Sequence, residues 1–410
     1  MPFGISLWVV VTTAWNPRGG WRQNRERTLR MAWGILLVMV GSACTDPAPL
    51  LYASRPWVGG GLVRAFSVAL LVSYLPELRG SGKRLAGYWG GAGFAGLLTL
   101  TALAGVDAIR ASPAPAIDVW TMQTEGAREL WAGRNPYLTV AVSDTGPPVP
   151  GQPNIPYLYP PTQIVVTSIA YRLAGDVRYA MLAAFLLAGI GLRLMTGSSP
   201  RGFARDAPWL FLWLSPQCYF VIEQAWSEPV PLGLLVWATL AHLRGWPMGA
   251  AILFGLAASA KQTGFWLVPL AGLMLRFGAA QWTALLFSAM LPLVPFAWAN
   301  FAALRHGMFD FLLCQPLRWD SLTVTNGYNL VFDAQVGGTG GFVLAALATV
   351  VAGWRMRGSA AGFATAVTFV YFVFFLFNRQ AFENYYFLVA GLGALSSAAA
   401  LEGNVNARET

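Results

Sequence analysis

Apolar residues in this chain come in long unbroken runs, and polar residues are gathered into a few intervals between them. A helix that crosses a bilayer needs about 20 predominantly apolar residues. About twelve runs qualify as candidates, starting near Met31, Leu62, Leu85, Val177, Ala207, Pro229, Pro247, Thr263, Gln281, Gly341, Ala361 and Tyr385. Several are short, notably the two that flank Lys261. Within lipid every backbone N–H and C=O must be satisfied inside the segment or by closing a barrel, and runs of this length are helices. The pattern predicts an all-α polytopic membrane protein of about twelve transmembrane helices. Residues 1–15 are also apolar, but arginines follow them instead of preceding them. That order is the reverse of a secretory signal peptide, and the stretch reads as interfacial or as an artefact of the start site.

Composition supports this reading. Of 410 residues 56% are hydrophobic and only 11% charged, and the mean hydropathy is +0.52. A soluble domain carries about 25% charged residues. The net charge of +9 would suit a nucleic-acid partner if it formed one patch, but it follows topology instead. With residues 16–30 on the cytoplasmic side and spans alternating, that side receives sixteen of the 27 Lys and Arg and five of the 18 Asp and Glu. This is the positive-inside bias, and it predicts a plasma-membrane protein with no nucleic-acid partner. The other face receives the polar intervals 107–157, 305–340 and 378–384, with short turns at 223–228 and 261–263. Residues 159–173 are apolar enough to resemble a span. Counting them as one would place Arg193, Arg201 and Arg205 outside, so they are expected to form an interfacial helix over 158–174. Pro160 and Pro161 suit its first turn. Residues 146–151, Gly-Pro-Pro-Val-Pro-Gly, are a turn-rich loop.

Cys44, Cys218 and Cys314 lie far apart, and His242 and His306 are the two histidines. Neither set has the spacing of a metal site or a disulfide framework. No resident metal or cofactor is expected, and a divalent-metal requirement stays open.

The longest polar interval holds the candidate chemistry. Asp118 follows Ser112-Pro113-Ala114-Pro115-Ala116, which cannot be helical, and precedes residues 119–131, which can. Aspartate is a favoured helix N-cap. On one reading Asp118 only caps an interfacial helix whose Val119, Met122, Leu130 and Trp131 face lipid. On the other, a partly desolvated carboxylate at a membrane surface serves as a general base.

Asp118, Gly126, the run Trp131-Ala132-Gly133-Arg134-Asn135-Pro136-Tyr137 and the run Tyr157-Leu158-Tyr159-Pro160-Pro161 together resemble the first outer loop of GT-C superfamily glycosyltransferases. The likeness is strongest to the polyprenyl-phosphate-mannose-dependent mannosyltransferases of glycosyltransferase family eighty-seven. Glu223-Gln224 is similar to that family's Gly-Gln turn, residues 255–261 to its Gly-Leu-Ala…Lys segment, and residues 378–386 to its final aromatic outer turn. The resemblance covers roughly residues 85–400. Two departures stand out: an added hairpin over residues 31–78, and Glu223 in place of the glycine.

The resemblance implies a division into an N-terminal segment (1–84), a GT-C-like catalytic domain (85–401) with outer loops 107–157 and 305–340, and a cytoplasmic tail (402–410). It implies an inverting hexosyltransferase, most simply a mannosyltransferase, that takes sugar from a polyprenyl-phosphate donor to a hydroxyl of a lipid or glycan acceptor on the extracytoplasmic face. Asp118 would be the base. Lys261, Arg379 and Arg134 lie on the side where they would hold the donor phosphate, with Lys261 the charge opposite Asp118. Glu223, Gln224, Tyr137, Tyr159 and His306 are candidates for acceptor or sugar contacts. Each has a plainer alternative. Lys261 can snorkel, the arginines can be structural, the glutamates can be solvated turn residues, and the aromatics can form an interfacial belt. A transporter or lipid flippase, or an inactive GT-C-fold assembly partner, are the competing functions. The near absence of charge from mid-span positions weighs against transport.

Overall fold

The computed structural model describes residues 30–41, 50–79, 86–143, 154–197, 202–215, 217–315 and 318–409. Residues 1–15, the loop 146–151 and Cys44 lie outside the described residues. The architecture is helical. Its chain order is α1 (Arg30–Gly41), α2 (Val58–Ser73), α3 (Ala86–Ala111), α4 (Asp118–Trp131), α5 (Pro161–Ala174), α6 (Arg178–Met195), α7 (Phe203–Trp213), α8 (Gln217–Glu223), α9 (Pro229–Leu243), α10 (Pro247–Ala258), α11 (Leu267–Met274), α12 (Ala279–Met290), α13 (Val294–Arg305), α14 (Val324–Phe332), α15 (Thr339–Arg355), α16 (Ala360–Phe377) and α17 (Glu383–Glu409). Among the described residues the only sheet is a two-residue antiparallel ribbon, Ala141 opposite Pro156 and Val142 opposite Ile155.

Each of the twelve apolar runs contains a helix. Among the described residues six segments are long and apolar enough to cross a bilayer: Val58–Leu78, Gly91–Ala111, Arg178–Met195, Ala279–Cys314, Ala360–Phe377 and Glu383–Glu402. Helices α1, α9, α10 and α15 are apolar but shorter, and the remaining runs are broken into pieces. The run from Ala207 divides into α7 and α8, and the run from Thr263 begins as a 3-10 helix, Gln262–Trp266, before α11. Proline accounts for part of the shortening: Pro208 inside α7 removes a hydrogen bond. The exposed surface is greasy, with Trp298 91% and Trp354 70% accessible. The chain is a multi-pass membrane protein.

Close packing rests on small residues, as expected where lipid offers no hydrophobic drive between helices. Helices α6, α9, α10 and α12 form one row, α15, α16 and α17 another, and α2 packs on α3. At Gly255 an added Cβ would lie 2.3 Å from the Leu285 carbonyl oxygen, so α10 and α12 touch backbone to backbone there.

Helix α5 falls within the 158–174 interval expected to hold an interfacial helix. Its 14 residues span about 21 Å at 1.5 Å per residue, short of a hydrocarbon core of about 30 Å. It buries Gln163, Ile164, Thr167 and Ser168 against α4 and leaves Val165, Ile169 and Leu173 exposed.

Two expectations change. The second outer interval does not begin as loop at residue 305: helical structure runs on through Cys314, with a π-helical turn at His306–Asp310. The 36-residue segment Ala279–Cys314 would be about 54 Å long if straight. Near its far end Gly307 and Met308 pack against Tyr137 and Tyr157. Asn300 breaks the helical dihedrals (φ −165°, ψ 97°) and bends the path. Met122 does not face lipid either. It is fully buried in a small core with Tyr137, Val142, Tyr157, Ile164, Phe296 and Met308.

Candidate functional site

The polar intervals that sequence separates by more than 250 residues gather at one end of the bundle. Asp118 occupies the first turn of α4, half-buried, after the extended Ile117. It is thus one position inside the cap site that its sequence context suggests. Its Oδ1 accepts the N–H of Val119 at 2.7 Å. A carboxylate is favourable there because the helix N-terminus is its positive end.

The approach to Asp118 is held rigidly. Arg178, at the head of α6, is fully buried, and its guanidinium donates to the carbonyls of Ser112 (2.7 Å) and Ile109 (3.2 Å) and to Asp176 (2.6 Å). These are the last carbonyls of α3 and the turn beyond it, which have no intrahelical partner. Glu223, fully buried, accepts from the N–H groups of Leu51 (2.7 Å) and Tyr52 (2.9 Å), from the Ser112 hydroxyl, and from Gln224 Nε2 at 3.3 Å. The loop after α1 is thereby clamped over the segment leading to Asp118. Burial, followed by the charges of Glu223 and Asp118, raises the Tyr52 phenol above its ordinary range, which places Tyr52 near both carboxylates.

The Tyr-Pro-Pro and Ala-Lys motifs meet. Thr162 bonds Ser259 through both backbone (3.1 Å) and hydroxyl (2.6 Å), and Gln262 Nε2 donates to the Leu158 carbonyl. The Tyr159 carbonyl accepts from the Tyr137 hydroxyl at 2.6 Å, and the Tyr159 phenol bonds Ser227. Burial first, then the charges of Glu228 and Asp118, hold that phenol well above its usual range. Tyr159 therefore feels the charge of Asp118 and of one member of a buried charged pair.

That pair is Lys261 with Glu228. The Lys261 ammonium donates to Glu228 Oε1 and, at 3.3 Å, to Ser227, and sits 4.5 Å from the Tyr385 ring centroid. Asn384 Nδ2 donates to the same Glu228 oxygen at 2.7 Å. Lys261, Glu228 and Asn384 are 5%, 0% and 8% exposed. The close anion of Lys261 is Glu228, from the short 223–228 turn, as a buried ammonium requires. Glu228 is buried and not the solvated turn residue that its sequence context allows. The turn carrying Glu228 is strained: Ala225 has φ +56°, which costs a residue with a Cβ about 1–2 kcal/mol. Gln123, fully buried on α4, fixes that turn by donating to the Ala225 carbonyl.

The other predicted site residues are placed less centrally. Arg134 is exposed and grips Glu129 with two hydrogen bonds, its Nε at 2.6 Å. That contact pushes the Glu129 carboxyl down to about 2. Arg379 donates to the Leu313 carbonyl at 3.1 Å, and its buried Nε has no partner. His306 is exposed on the π-helical turn, its ring 6.2 Å from Phe311. Tyr137 is spent on structure, packed edge-on against Tyr157 and Phe296 with centroids 5.4 Å away from each. Gln224 is buried against Glu223. Among the described residues no three His, Cys, Asp or Glu side chains form a metal-holding group.

No family model matches the chain, and no curated protein matches it in sequence. Among solved structures, the crystal structure of ArnT from Cupriavidus metallidurans bound to undecaprenyl phosphate matches it with a TM-score of 0.50 at 17% identity. The match covers 75% of this chain and 59% of that one. The fold is GT-C-like. At this identity the likeness is one of architecture, and the chain spans about three-fifths of ArnT's length.

Asn384, Tyr385, Arg178 and Tyr52 were not singled out from sequence. The visible signal for Arg178 was a charged residue two positions after Asp176 at the head of an apolar run. For Asn384 it was an amide at the end of the last polar interval, where the final apolar run begins.

Proposed function

We propose that this protein is a membrane glycosyltransferase that takes a sugar from a polyprenyl-phosphate donor, with Asp118 as general base. The arrangement that carries the reading is a half-buried carboxylate at the head of α4 and a buried ammonium, Lys261, whose partner Glu228 and Asp118 both act on the Tyr159 phenol, in a GT-C-like fold. The solved neighbour, ArnT, holds undecaprenyl phosphate, which makes a lipid-linked donor the natural choice here. The acceptor hydroxyl gives its proton to an Asp118 oxygen as its own oxygen bonds to the sugar C1. The C1–O bond to phosphate breaks, and the polyprenyl phosphate leaves with the electron pair, inverting C1.

The leaving phosphate gains negative charge as that bond breaks, and a fixed cation in a dry site is worth most at that moment. Lys261 fills this role. The starts of α9 and of the 3-10 helix Gln262–Trp266 stand beside it, and helix N-termini favour anions. Arg379 and Arg134 would act at most on the approach. The basic excess of the opposite loops puts this end of the bundle outside the cytoplasm. Mannose as the sugar and a lipid or glycan hydroxyl as acceptor follow from the family eighty-seven resemblance.

The test is transfer from radiolabelled polyprenyl-phosphate sugars in membranes. General-base removal costs about 10²–10⁴-fold, so Asp118→Asn is expected to lower turnover by that amount with wild-type expression and melting temperature. Wild-type turnover in that variant would refute the role of Asp118. Substrate movement across vesicles without any transfer would favour the flippase reading.

A further inference from the structure

Around Lys261 the donors are used and the acceptors are not. Lys261 and Asn384 both donate to Glu228 Oε1. Glu228 Oε2 and Asn384 Oδ1 are buried and have no hydrogen-bond partner. A buried acceptor left unmade costs about 1–3 kcal/mol, and each such group in a folded chain asks for a partner. Here two occur on side chains bonded to each other, beside a buried ammonium.

A molecule that completes this set donates two hydrogen bonds next to a group that attracts an anion. A sugar 1-phosphate ester has that pattern, since its ring hydroxyls neighbour the phosphate. Water and a cation also satisfy oxygens, but neither explains why the leftover groups adjoin the one buried lysine. We propose that Glu228 and Asn384 form the donor's sugar-recognition subsite, Glu228 Oε2 and Asn384 Oδ1 accepting from hydroxyls near the anomeric phosphate. The proposal rests on the glycosyltransferase reading, and it goes further by dividing the donor between residues: Lys261 takes the phosphate, and Glu228 and Asn384 take the sugar. Glu228 then has two duties, since one oxygen neutralises Lys261 and the other reads the ligand.

The test is equilibrium binding to the full chain in lipid nanodiscs. The probes are undecaprenyl phosphate and its mannosyl, glucosyl and arabinosyl esters. The wild type is expected to bind at least one ester about tenfold more tightly than the bare lipid phosphate, the size of one net hydrogen bond. Asn384→Ala should erase that preference and leave affinity for the bare lipid phosphate unchanged, which also reports an intact fold. Asn384→Ser, a smaller change that also withdraws the amide oxygen, should do the same. EDTA should change neither result. A preference that survives both variants overturns the proposal, as does an equal loss for bare and sugar-bearing lipid, or a preference that vanishes with EDTA. A wild type that binds the lipid phosphate but ignores the sugar overturns this proposal alone. A wild type that binds none of the four lipids overturns the glycosyltransferase reading beneath it.

Discussion

Lys261 and Glu228 occupy positions that neither would tolerate alone. Each is almost fully buried, and removing one partner of a buried pair costs about 3–5 kcal/mol because the other charge is stranded. Lys261→Ala is therefore expected to lower thermal stability in detergent as well as donor use. The double variant Lys261→Ala with Glu228→Ala should recover most of the stability and none of the transfer. A melting curve and a transfer assay on the three proteins separate the structural from the chemical share. If the double variant melts as low as the single, the pair is not the source of the loss. Glu223 belongs to a different category despite its similar burial. Its carboxylate is taken up by two backbone N–H groups, a hydroxyl and an amide. It positions the approach to Asp118.

At the scale of elements, the α4 and α5 platform meets the extended segment Ala279–Cys314 in a small apolar core with one especially tight contact. A Cβ on Gly307 would lie 2.3 Å from the Tyr157 carbonyl oxygen and 3.2 Å from the Tyr137 ring. A backbone oxygen cannot swing aside as a flexible side chain can, and overpacking of this kind costs about 1–3 kcal/mol. Gly307→Ala should therefore lower both the melting temperature and turnover, although His306 beside it is exposed. Substituting His306 by Ala should leave both near wild type. Reversal of that order would show that the π-helical turn acts through its histidine and not through its packing. Gly126 has the corresponding role on α4, where an added Cβ would meet the Tyr157 ring at 2.7 Å.

At the scale of the molecule, the claim that remains to be tested is orientation. The charge bias leads to the expectation that the Asp118 end lies outside. Ser143, the obvious polar position in the loop, is 1% exposed and unsuited to labelling. Ala132 is exposed at the tip of the α4 turn. Ala132→Cys, in a chain whose Cys44 and Cys314 are replaced by serine, is expected to react with an impermeant thiol reagent in intact cells. Cys218 is fully buried and provides no background. Labelling that appears only after lysis would invert the topology and place the reaction on the cytoplasmic side.

What sequence determines here is what one-dimensional patterns encode. Unbroken apolar runs allow only helices in lipid, so the helical class was legible and each run holds a helix, but the breaks within the runs and the helices inside 305–340 were not. Helix α5 was legible as a separate short element with prolines at its start. Asp118 was legible as a helix start after a proline-rich stretch. Pairing was not, because it depends on which turns the packed helices bring together. Sequence contains no sign that Lys261 would meet Glu228, that Glu228 would meet Asn384, that Met122 would be core, or that Gly307 would touch Tyr157. Lys261 and Glu228 are 33 positions apart and Glu228 and Asn384 156, and packing alone brought them within reach. A buried charge takes the nearest anion that geometry supplies, and only the tertiary structure decided which one that was.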